Sequence, residues 1–156
     1  MAAPVRRRSR RTARAKSSRS AGASGHAAEA RLLVLARELT ARSSTLTTAA
    51  DLHAIIETLA AAYGPEAPLA VALRRDWLHG RGDKSARLAL GWAREQLRLA
   101  IADVVTHAAH AGLVSARTDA DTLAWLWLAG CEALAHEPAS AVADRVHALV
   151  ALLGTI

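Results

Sequence analysis

Apolar residues return along this chain at steps of three and four, the period of a helix with one buried face. In residues 27–42 the stripe is Leu32, Leu35, Ala36 and Leu39. Ser43 to Thr48 interrupts it with polar residues. A second helix is predicted from Thr48, with Asp51 in its first turn, where negative charge suits the helix dipole. Its apolar face is Leu52, Ile55, Ile56 and Leu59, and Gly64-Pro65 stops it. A third helix is predicted over 66–79, with Pro68 near its start and Leu69, Leu73 and Trp77 as apolar content. His79 to Asp83 reads as a loop.

The fourth helix, predicted over 84–111, carries two apolar rows. One is Leu90, Ala93, Leu97, Ile101, Val104 and Ala108; the other is Leu88, Trp92, Leu99, Val105 and Ala109. Two rows predict a helix with neighbours on more than one side. Gly112 ends it. Thr118 and Asp119 open a fifth helix over 119–136, apolar at every position from 123 to 131. Pro138 precedes a sixth helix over 139–153, striped by Val142, Ala143, Val146, Leu149, Val150 and Leu153. The expected fold class is therefore all-α, with about six helices. Composition agrees: 52% of the residues are hydrophobic, but none is Phe, so Leu, Val, Ile and Ala must build the core around four Trp.

Charge divides the chain in two. Residues 1–25 hold eight basic side chains and no acidic one, while 26–156 hold twelve basic and fourteen acidic, a net of −2. A basic surface over the whole domain is thus not supported. Residues 1–26 are expected to be a disordered Arg/Ser/Ala-rich tail ahead of a helical domain at 27–156. Arg6, Arg7, Arg8, Arg10, Arg11 and Arg14 are its candidate non-specific phosphate contacts. A solubility tail and a transit-peptide-like leader remain alternative readings of that composition. The single cysteine, Cys131, allows no intramolecular disulfide. With no long apolar run and no secretory h-region, a cytoplasmic protein is expected.

The fifth helix has more apolar surface than one neighbour hides. Leu123, Leu126, Trp127, Gly130 and Leu134 form one face; Trp125, Leu128 and Cys131 form another. The second face is expected to meet a second copy of the chain, together with Ala141, Ala148 and Leu152 of the sixth helix. Coverage of both faces by the chain's own helices is the alternative.

Other chemistry is sparse. Asp103, His107 and His110 share an arc of about 60° on one helix, but histidines in a last turn also serve the helix dipole. No metal site is expected. Gly80-Arg81-Gly82-Asp83-Lys84-Ser85 lacks the glycine before Lys-Ser that a phosphate loop requires. Cys131 sits among apolar residues and reads as a small hydrophobe. No triad, paired carboxylates or nucleotide fingerprint is present, so neither an enzyme nor a cofactor is expected.

Three segments carry a resemblance. They are Ala109-His110-Ala111-Gly112-Leu113-Val114, Asp119-Ala120-Asp121-Thr122-Leu123-Ala124, and Leu128-Ala129-Gly130-Cys131-Glu132-Ala133-Leu134-Ala135. Together they resemble the C-terminal ligand-binding and dimerisation domain of TetR-family transcriptional regulators. The likeness covers roughly residues 49–153 in helix order and length. It implies a homodimer built on the last two helices and a small hydrophobic effector held under the long central helix. The implied lining is Leu59, Tyr63, Trp77, Trp92 and Leu99, with His53 as a polar handle. The family's helix-turn-helix is not recognisable: after Thr47-Thr48 the sequence Ile55-Ile56-Glu57-Thr58-Leu59 continues as helix. Contact with DNA would then fall to the arginine tail, without base readout. Two further readings stand beside this one: a ligand-free helical interaction module, and a DNA-associating protein acting through its tail.

Overall fold

A computed structural model describes residues 27–79, 84–114 and 119–154. The described residues form six helices and no strand: α1 (27–43), α2 (Ala49–Ala62), α3 (Pro68–His79), α4 (Lys84–His110), α5 (Ala120–Leu134) and α6 (Ala139–Gly154). The basic tail, with Arg6, Arg7, Arg8, Arg10, Arg11 and Arg14, lies outside the described residues, as does most of the Gly80–Ser85 segment.

Local chemistry sets the helix ends. Thr48 caps α2: its hydroxyl accepts from the Asp51 amide at 3.2 Å, and Asp51 accepts in return from the Thr48 amide at 2.9 Å. This reciprocal pair satisfies two amides that the first turn leaves without helical partners. The Thr48 hydroxyl, followed by the amides of Thr47 and Thr48, holds the Asp51 carboxyl below its ordinary pKa. Asp119 caps α5, accepting from the Thr122 amide at 2.9 Å. At the end of α4, Gly112 takes φ +71°. Its amide donates to Ala109 O at 3.1 Å, and the Leu113 amide donates to Ala108 O at 2.8 Å. That pattern closes the helix with a left-handed residue, where glycine costs least. Helix α3 begins at Pro68, two residues later than predicted, because Glu66 and Ala67 belong to a turn closed by Ala67 N–H to Gly64 O at 2.8 Å.

The long α4 packs chiefly on α5, and α2 touches α3, α5 and α6. One core joins Leu32, Leu35 and Leu39 of α1, Ile55 and Leu59 of α2, Leu97, Ile101 and Val104 of α4, and Leu123, Trp127, Leu128 and Leu134 of α5. Arg74 of α3 ties the corner together: it donates to Ala135 O at 2.5 Å, past the end of α5, and to Pro65 O in the α2–α3 turn. A cation there also suits the negative end of the α5 dipole.

Helix α6 is held more loosely than its stripe predicts. Val142, Val146 and Leu149 are half-buried, and Ala143 is exposed. Helix α6 meets α5 at Gly130, where a Cβ would lie 2.5 Å from Leu149 Cδ2. The glycine inside α5 therefore makes room for α6.

Candidate functional site

The residues expected to line an internal pocket do not converge. Leu59 and Tyr63 are buried in the core, but as part of its packing. His53 is exposed and pairs with Glu57 on its own helix, Nε2 to Oε1 3.2 Å. Trp92 and Leu99 stand exposed on the outer side of α4. The side chain of Trp77 lies outside the described residues. The expected lining under α4 is thus corrected for His53, Trp92 and Leu99, which face water. The arc of α4 that faces inward is Ala93, Leu97, Ala100, Ile101, Val104, Val105 and Ala108, all of them in the core. At 100° per residue, Leu88, Trp92 and Leu99 fall on the opposite side.

The expected dimer face divides in a similar way. Trp125 is exposed, whereas Leu128 and Cys131 are buried by the chain's own helices. Leu126, predicted to pack inward, is exposed instead. Ala141 is half-buried and Ala148 exposed, and the side chain of Leu152 lies outside the described residues. Leu128 and Cys131 are therefore corrected from interface to core, because they join the cluster that α5 shares with α1, α2 and α4. Burial, then the nearby Glu132 carboxylate, pushes the Cys131 thiol up to about 12, so it is neither ionised nor presented.

Two ion-pair clusters link α4 to α5. Arg94 grips Glu132 with both arms of its guanidinium, Nε–Oε1 2.5 Å and Nη2–Oε2 2.9 Å. Arg98 holds Glu95 on its own helix and reaches Asp121 Oδ1 at 2.8 Å. The Arg98 hydrogen bond holds the Glu95 carboxyl below its ordinary pKa. Near the first pair, the Tyr63 hydroxyl is buried with no hydrogen-bond partner among the described residues. Burial, followed by the Glu132 charge, raises its pKa.

A cleft that sequence reasoning missed opens between α1 and the α2–α3 corner. It has a volume of about 400 Å³ and is lined by Ala30, Val34, Leu35, Ala61, Ala62, Ala67, Pro68 and Leu69. Arg31 and Glu38 stand on its α1 side. The available signals were the alanine run Ala60–Ala62 and the apolar Val34 beside the main α1 stripe. Neither exceeds what ordinary packing produces. Among the described residues no group of three His, Cys, Asp or Glu side chains could hold a metal. No helix among them is long and apolar enough to cross a membrane.

Comparison with known proteins finds no family model, curated protein or solved structure that matches this chain.

Proposed function

We propose that this chain is a TetR-like regulatory domain that works as a homodimer and takes a small hydrophobic effector in the cleft between α1 and the α2–α3 corner. The observation that carries the reading is the cleft itself. Its volume of about 400 Å³ lies within the range of small-molecule sites, and its lining is apolar with one cation and one anion at the edge. The expected resemblance supports the class, and the outward position of Trp92 and Leu99 favours an effector site away from α4. A ligand that joins α1 to the α2–α3 corner would favour whichever arrangement of those helices it binds better. The arginine tail would add sequence-independent phosphate contacts in a regulator assembled on DNA.

Thermal stability in the presence of hydrophobic compounds tests this. Carboxylic acids, alcohols and aromatic compounds should be compared on the wild type and on Ala61→Trp, which fills the cleft from an exposed position. At least one compound should raise the midpoint of the wild type, and the variant should lose that gain. If no compound shifts the wild type, the effector reading falls and a ligand-free interaction module replaces it. That second reading is favoured by the apolar side chains left exposed on α4 and α5.

A further inference from the structure

The largest unexplained feature is an apolar face on the outside of α4 and α5. On α4, Leu88, Trp92 and Leu99 are 65%, 55% and 42% exposed; on α5, Trp125 and Leu126 are 54% and 48% exposed. Leu88, Trp92, Glu95 and Leu99 fall within an arc of about 60°, directly away from the core. Trp125 lies one turn after Asp121, and Asp121 is tied to that arc through Arg98, which also holds Glu95. The two helices therefore present one continuous surface, with an ion cluster between Trp92 and Leu99 on one side and Trp125 on the other.

We propose that a second copy of this chain docks on this face, related by a two-fold axis, so that α4 and α5 of both subunits form an intermolecular four-helix layer. The inference rests on the homodimer reading and relocates its interface from α5–α6 to α4–α5. Area supports it. The five side chains leave on the order of 600 Å² in water, the upper end of what a monomer exposes in one patch and near the ~800 Å² each partner gives to a standard interface. Charge supports it too. The face carries Glu95, Arg98 and Asp121 at its middle, with Arg94 and Glu132 beside them. Arg98 is mostly covered and already holds Glu95 and Asp121, so the strip is paired internally and carries little net charge to repel an identical copy. Nucleic acid or an anionic lipid surface would call for a face of one positive sign. By contrast, the exposed side chains among the described residues of α6 are alanines, Ser140, Asp144, Arg145 and His147, with no large apolar one.

Sedimentation of the full chain across a concentration series tests the proposal, with Trp92→Glu, Trp125→Glu and Ala148→Glu compared with wild type. Circular dichroism checks that each variant folds. Wild type should dimerise, and each Trp variant should weaken dimerisation about 30-fold or more, the loss expected at a central aromatic anchor. Ala148→Glu should leave it unchanged. If either Glu variant fails to fold, Trp92→Gln and Trp125→Gln provide the same comparison. A dimer that survives both Trp changes but is lost with Ala148→Glu overturns this interface and leaves the homodimer reading standing. A wild type that stays monomeric at every concentration overturns both.

Discussion

Replacing Tyr63 by Phe should leave the fold as stable as before or stabilise it. The hydroxyl is buried and has no partner among the described residues, while the ring is fully buried in the core at the C-terminal end of α2. A buried hydroxyl without a hydrogen bond costs roughly 1–3 kcal/mol relative to water. Phe keeps the ring and its contacts, and the space vacated by one oxygen returns only a few tenths of a kcal/mol at about 24 cal/mol per Å³. The expected net gain is about 1 kcal/mol, which for a domain of this size raises the thermal midpoint by roughly 2–5 °C. Urea unfolding followed by circular dichroism measures it, and an unchanged slope shows that the unfolded reference is the same. Tyr63→Ala supplies the contrast, since losing the ring costs about 3–5 kcal/mol. Glu132 is the natural control, because its charge acts on Tyr63. A double-mutant cycle with Glu132→Gln should therefore give a coupling near zero. A loss of about 1 kcal/mol or more in Tyr63→Phe, with strong coupling to Glu132, would refute the reasoning by showing that the hydroxyl is bonded in solution. The sign of the alkaline behaviour follows from the same burial. Folded Tyr63 stays protonated where the unfolded chain ionises, so stability should fall as pH climbs past the ordinary value of 10.0, and this part of the decline should vanish in the Phe variant.

Further expectations are as direct. Asp51→Asn should weaken α2 at neutral pH. The folded carboxyl titrates below its ordinary 3.8, so this contribution is present above that pH and lost as pH falls through the lower folded value; an acid titration of wild type and variant that superimposes would contradict it. Cys131 should resist alkylation at pH 8 in the native state and react at the rate of unfolding, because the thiol is buried and its pKa is pushed up to about 12. Rapid native labelling, counted by mass spectrometry, would show that α5 opens locally. Arg94→Ala should cost about 1 kcal/mol in chemical denaturation, a modest figure because the bidentate pair with Glu132 is partly open to water.

Much of the architecture was legible in the residues. The steps of three and four located the six helices, and most boundaries held to within two residues. Thr48 with Asp51, Asp119 and Gly112 marked ends whose chemistry is local, since each cap reaches no further than five residues along the chain. The candidate sites were far less legible. Trp92 and Leu99 were expected inside and stand outside; Leu128 and Cys131 were expected at an interface and lie in the core. The cleft near Val34 combines residues from two distant stretches, 30–38 and 61–69, and neither signals it alone.

The amino-acid sequence by itself determined that the chain is helical, where the helices begin and end, and which residues are apolar enough to need cover. Those properties depend on neighbours within a turn or two. Only the tertiary structure decided which apolar sides are covered, because cover depends on how many helices pack around a given one. Helix α4 carries two apolar rows: the row facing the core is buried from Ala93 onward, while most of the second row, Leu88, Trp92 and Leu99, remains in water. Periodicity reports that a face is greasy; the number and placement of partners, which no local pattern encodes, report whether it is hidden.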